Sequence, residues 1–247
     1  MRPMTLVAAF AAFAICFSAA AVPASNPNEP DLYEIYNNIY DGTPGFAPLT
    51  SNQELHDNYR QDPAEVWEVL SADGGQVDVR ARFAGMGHSF GFYNPTGALP
   101  TNYHTMGTVS GTAGYNPFVS WAPGFEPPDD NYIPDTANPF GLFIETADGE
   151  LWHSEPGLNR LNYNAMRAYR APAGHPTANE FMIAWEDRPP DHPRFDGDYN
   201  DLVLTISNVR VVPEPASMLL LGMGLAGVVV RQLRKPNAES NKRNRVS

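Results

Sequence analysis

Cysteine is nearly missing from this 247-residue chain: Cys16 is the one present, and it lies in an apolar leader. The body that follows has no thiol, which excludes disulfides, thiolate metal sites and cysteine nucleophiles. Lysine is absent from the same body. Between Ser25 and Val212 there are nine arginines, no lysine and 26 carboxylates, a balance of −17 within a whole-chain net charge of −12. Such a surface repels phosphate backbones and anionic headgroups, so nucleic acid is not an expected partner, whereas divalent cations and neutral sugars are. The six histidines, His56, His88, His104, His153, His175 and His192, show neither His-x-His nor His-Glu-x-x-His spacing. A catalytic zinc site is therefore unsupported, and each histidine reads as a loop or surface residue. No internal repeat and no alternation of strands with helices is visible. Glycine (20) and proline (24) are abundant without reaching low complexity, so a folded, loop-rich body is expected.

Both ends read as addresses. Arg2, an apolar stretch from Leu6 to Phe17 and the small residues Ser18 to Ala21 follow the order of a secretory signal, with cleavage after Ala20, Ala21 or Ala24. Ile15 precedes Cys16 where a lipoprotein signal needs a small residue, so lipid attachment is not expected. At the other end, Val212-Pro213-Glu214-Pro215 leads into fifteen uncharged residues, Ala216 to Val230, and then Arg231, Arg234 and Lys235. As a helix this run covers ~22 Å against a hydrocarbon core of about 30 Å, which is short for a permanent span. With local thinning and snorkelling arginines it is expected to cross a membrane as a transmembrane helix, leaving the basic tail 236–247 cytoplasmic. Three glycines, Gly222, Gly224 and Gly227, argue against a buried C-terminal helix.

The order of Pro213-Glu214-Pro215, apolar segment and arginine-rich end resembles the PEP-CTERM sorting signal of bacterial exported proteins, over about the last 35 positions. The resemblance implies Pro213, Glu214, Pro215, Arg231 and Arg234 as the sorting motif and an exosortase, an intramembrane processing enzyme, as partner. It further implies removal of the tail, delivery to the cell surface or extracellular matrix, and company with exopolysaccharide.

Within the body, Leu32, Ile35, Tyr36 and Ile39 recur at helical spacing behind Asp31 and Glu34, and Ser51-Asn52-Gln53-Glu54 has capping-box form for a second helix to about Arg60. The period then changes to two. Val66–Leu70 and Gln76–Phe83 flank Ser71–Gly75 and read as a β-hairpin; Gly141–Thr146 and Glu150–His153 read as another around Ala147-Asp148-Gly149. Further strands are expected at Ser89–Tyr93, Pro117–Trp121, Ala165–Tyr169, Phe181–Glu186 and Leu202–Val211, and two or more of the four tryptophans are expected in the core. The fold class is all-β: an antiparallel β-sandwich, with a jelly roll as one form, carrying one or two short N-terminal helices. The expected division is signal peptide 1–24, exported sandwich 25–212, sorting segment 213–235 and tail 236–247.

Polar residues are densest in Glu186 to Asp201, where six carboxylates and one amide fall within sixteen residues. Calcium takes six to eight hard oxygens, and acidic side chains at alternate positions of a turn wrap such a shell. Asp196, Asp198 and Asn200 match the first three ligand positions of an EF-hand loop; Asp201 then stands where the turn glycine belongs, and a strand follows instead of a helix. A calcium ion in a β-edge loop is the expectation, the alternative being carboxylates that cap turns and pair with Arg188 and Arg194. The succession of aromatic-Glu-Asp, a Pro-rich loop, Asp-x-Asp-Tyr-Asn-Asp and an apolar strand resembles the closing signature of a β-rich bacterial domain family of unknown function. That resemblance implies Glu186, Asp187, Asp196, Asp198, Asn200 and Asp201 as the site residues. The functional expectation is a calcium-stabilised structural or adhesive protein in contact with polysaccharide. The alternative is a secreted hydrolase, a serine esterase or glycan-acting enzyme. Gly87-His88-Ser89-Phe90-Gly91 fits the nucleophile-elbow pattern, although the strand-to-helix context of an elbow is missing.

Overall fold

The computed structural model describes residues 22–24, 26–62, 65–95, 100–125, 132–133, 139–177 and 179–212. The leader through residue 21 and everything from residue 213 on, including the expected membrane-crossing run 216–230, lie outside the described residues. Among the described residues no helix is long and apolar enough to cross a membrane.

Both N-terminal helices form where their caps predict. In α1 (Leu32–Tyr40) the Glu34 carboxylate accepts from the Asp31 N–H at 2.9 Å; in α2 (Asn52–Tyr59) Ser51 Oγ accepts from Glu54 N–H at 3.2 Å. The rest is strand. One sheet is built from β1 (Val66–Val69), β3 (His88–Asn94), β4 (Thr101–Val109), β6 (Val119–Trp121), β8 (Phe140–Thr146), β9 (Leu151–His153) and β13 (Val209–Val211) in the order β13-β1-β8-β3-β4-β6, with β9 beside β8. The other holds β2 (Gly75–Arg82), β5 (Gly114–Tyr115), β7 (Tyr132–Ile133), β10 (Met166–Arg170), β11 (Phe181–Trp185) and β12 (Leu202–Ser207) in the order β10-β11-β12-β2-β5, with β7 beside β2. All strand pairs are antiparallel, as expected for a sandwich.

Two apolar clusters explain the layering. Trp67, Phe90, Ile144, Trp152, Trp185, Leu202, Leu204 and Ile206 fill the space between the sheets. Leu32, Ile35, Tyr36 and Leu55 of the helices pack with Tyr169, Met182, Ala184 and Val203 on the opposite face of the second sheet. Strand β11 and the first half of β12 are thus covered on both faces, which is why residues 181–185 and 202–204 are continuous apolar runs without alternation. Three tryptophans, Trp67, Trp152 and Trp185, are in the core.

Two expectations about strands are corrected. Val66–Val69 and Gly75–Arg82 do not form a hairpin: β1 pairs with β13 and β8 in one sheet, while β2 pairs with β12 in the other. Leu202–Val211 is not one strand but two, broken at Asn208, whose φ of 59° takes the chain across to the facing sheet. The two crossings run side by side, with Leu70 N–H donating to Asn208 O at 2.9 Å and Asn208 Nδ2 donating to Ser71 Oγ and Gly74 O at 2.7 Å each. An arch between facing sheets buries alternate residues as a hairpin does, so patterning does not separate the two. Strand β4 was not visible in the pattern because its first five residues are all exposed.

Candidate metal centre

The acidic segment is the loop between neighbouring strands β11 and β12. Trp185 pairs with Leu202, so the residues just beyond, Glu186 and Asp201, leave the sheet side by side. Carboxylate oxygens of Glu186, Asp187 and Asp201 consequently lie within 4.8 Å of one another. Within this inner group Asp187 is the compensated member. Asp187 Oδ2 is 2.8 Å from His88 Nε2, Asp187 Oδ1 is 3.4 Å from Arg188 Nε, and the Asp187 N–H donates to Asp201 Oδ2 at 2.8 Å. Trp152 Nε1 donates to the Asp187 carbonyl at 3.0 Å. Arg188 also bridges to Asp148 at 3.0 Å and Glu150 at 3.3 Å, tying the loop to the β8–β9 hairpin.

The outer group has a different supply. Here Glu29, from the strap that precedes α1, joins Asp196 and Asp198, again with one oxygen each within 4.8 Å. The loop reaches this position through two left-handed residues, Gly197 at φ 73° and Tyr199 at φ 61°. Glycine suits the first. Tyr199 is held in place by its side chain: its hydroxyl accepts from Tyr163 and donates to Asn164 O, both at 2.9 Å, and Arg167 lies 4.4 Å above its ring. Three acceptor oxygens in this loop are buried with no hydrogen-bond partner: Glu186 Oε2, Asp198 Oδ2 and Asn200 Oδ1. Burying such groups without a partner is costly.

Charge follows from this crowding. Burial, with repulsion from Asp196 and Asp198, pushes Glu186 up to about 8. Burial, then Asp196 and Glu29, pushes Asp198 up to about 7 against the Asn200 N–H that donates to it. Asp201 is raised well above the usual carboxylate range by burial and by Asp187 and Glu186, and Glu29 is raised by burial and by Asp196. Like charges that cannot all ionise in a partly dry pocket are what a hard cation neutralises.

All six residues expected from the sequence, Glu186, Asp187, Asp196, Asp198, Asn200 and Asp201, occur in this one loop, in two subgroups. Glu29 was missed because it lies far away in sequence; His88 was read as a loop or surface residue and is instead fully buried against Asp187, as His153 is buried against Asn159. Arg188 is the paired local cation, whereas Arg194 is exposed and makes no ion pair among the described residues. The elbow pattern lies inside a strand. Ser89 Oγ shares a hydrogen bond with Thr108 Oγ1 at 3.1 Å in β3, and a Cβ on Gly91 would sit 2.0 Å from His104 O, so that glycine serves a close strand approach. The sorting residues Pro213, Glu214, Pro215, Arg231 and Arg234 lie outside the described residues.

The family model for the PEP-CTERM protein-sorting motif matches residues 211–235. No curated protein and no solved structure matches the chain. The motif marks an exported protein that an exosortase processes and that is sorted to the cell surface.

Proposed function

We propose that this exported, surface-sorted chain is a structural or adhesive β-sandwich, stabilised by calcium at the 186–201 loop and working in contact with exopolysaccharide. In this reading the sandwich, with its N-terminal strap and ending at residue 212, is the lasting domain, and the segments on either side are addresses, the C-terminal one crossing the inner membrane transiently through 216–230. The supporting observation is the set of buried acceptor oxygens without donors, Glu186 Oε2, Asp198 Oδ2 and Asn200 Oδ1, beside Asp196. Carboxylate and amide oxygens with no N–H or O–H to meet them suit calcium, which takes six to eight oxygens; extracellular calcium modules bind at about 10⁻⁴–10⁻³ M. Calorimetric titration of metal-stripped protein with calcium chloride tests the site. Saturable binding that Asp198→Ala removes supports it; no heat and no shift in melting would reject it.

Contact with polysaccharide has a separate support. A groove of about 310 Å³ on the second sheet is lined by Gln76, Asp78, Arg80, Glu180, Thr205 and Ser207, side chains that donate to and accept from hydroxyl groups. A glycan array with a turnover assay, with and without calcium, decides the mode. Binding without cleavage fits an adhesive role, and cleavage would favour a glycan-acting hydrolase.

A further inference from the structure

The two halves of the acidic loop differ in what already meets their oxygens. Asp187 has His88 and Arg188, and Arg82 adds its field to Asp187 and Asp201. Glu29, Asp196 and Asp198 have no ion pair among the described residues. Their neighbours are amides: Asn26 Nδ2 donates to Asp196 Oδ2 at 3.3 Å, the Asn200 N–H donates to Asp198 Oδ1 at 3.1 Å, and the Asn200 side chain reaches Glu29. Asn200 Nδ2 also donates to Pro30 O at 3.1 Å, which leaves Asn200 Oδ1 buried and unmet in this corner together with Asp198 Oδ2. Both residues are 1% exposed.

We propose that the cation sits in this outer half with Glu29, Asp196, Asp198 and Asn200 as ligands, and that it clasps the N-terminal strap onto the β11–β12 loop. The proposal rests on the calcium reading above and adds a ligand and a consequence to it. Residues 22–24 and 26–30 meet the rest of the molecule mainly through polar contacts: Ala24 N–H donates to Gly197 O at 2.9 Å, and Asn52 Nδ2 donates to Ala24 O at 3.3 Å. Of these strap residues only Pro23 is buried. Repulsion between Glu29 and the two aspartates opposes the same docking. A divalent ion reverses the sign of that term, so the strap is held firmly when calcium is bound and opens locally when it is not. With affinity of the extracellular class, about 10⁻⁴–10⁻³ M, the clasp closes only outside the cell.

The test combines calcium titration with hydrogen exchange of the exported protein, as wild type, Glu29→Gln and Asp196→Asn, in EDTA and in calcium chloride. For wild type, calcium slows exchange at the Ala24 amide at least tenfold. Glu29→Gln and Asp196→Asn each weaken calcium binding at least tenfold and abolish that slowing, while their melting temperatures in EDTA equal or exceed that of wild type because a like charge is gone. Calcium affinity within twofold of wild type in both variants would overturn the clasp and leave a loop site standing. Wild-type protein that binds no calcium would overturn both readings. A melting temperature in EDTA that falls for both variants would make Glu29 and Asp196 structural residues, against the proposal.

Discussion

Asp187 and Asp198 come from one loop and are both buried, yet they have opposite needs. Asp187 is met by a buried imidazole, so His88→Ala removes a partner and leaves a cavity beside a carboxylate. It is expected to cost about 2–4 kcal/mol in urea unfolding, equally with and without calcium. Asp198→Ala is expected to be neutral or stabilising in chelator and to lose the extra stability that calcium gives. A pH dependence follows from the same crowding. In the folded protein Glu186 is held at about 8 and Asp198 at about 7, above the usual carboxylate values of the unfolded chain. Both therefore bind protons more tightly when folded. Their contribution is complete below about pH 4 and is lost as pH rises through about 7 and 8. Melting temperatures of metal-free protein should fall between about pH 5 and 8, and calcium, which binds the ionised forms, should remove the fall; a flat metal-free profile contradicts this. The sequence made the Asp196, Asp198, Asn200 spacing legible because ligands at alternate positions of one turn are a local pattern. It could not reveal Glu29 or His88, since His88 lies 99 positions from Asp187 and only the fold brings them together.

Elements differ in how much local chemistry decides them. The caps at Asp31 and Ser51 act within one turn, and both helices begin where those residues place them. The β8–β9 hairpin forms around Asp148-Gly149 as read, with Gly149 at φ 86°. The Ser71–Gly74 turn looked equivalent and is an arch, because what decides it is tertiary: Asn208 from the adjacent crossing donates to both its ends. Asn208→Ala should cost about 2–3 kcal/mol, from two lost hydrogen bonds and a left-handed backbone that alanine tolerates poorly. Chemical denaturation checks this, and Asn208→Gly should recover part of the loss. The strap carries a prediction of its own. Pro23 is buried, and Ala24 bonds to Gly197 and Asn52. Signal cleavage after Ala20 or Ala21 keeps these contacts and cleavage after Ala24 destroys them. N-terminal sequencing of the exported protein should find a start at Ala21 or Val22; a start at Ser25 contradicts the docked strap.

At the scale of the molecule, a body without cysteine or lysine is held by two apolar layers, one between the sheets and one beneath the helices. The acidic excess of the body is not spread evenly. Part of it converges where the β11–β12 loop meets the N-terminal strap, and that point joins the ends of two fully buried strands, β11 and β12, to the first described residues. Fold class and the C-terminal sorting motif were legible because period and a local residue order carry them; the layer assignment of each strand was not, because either sheet offers the same alternation. Calorimetry of the exported protein in EDTA and in calcium chloride tests the central claim most directly. At a hundredfold excess over its dissociation constant, a ligand that binds only the folded state adds about 2.7 kcal/mol, worth about 5–10 °C for a domain of this size. The account predicts a rise of that order at that excess, growing with calcium concentration and absent in Asp198→Ala; a melting temperature that stays the same from EDTA up to about 10–100 mM calcium, a hundredfold excess over the expected affinity, would contradict it.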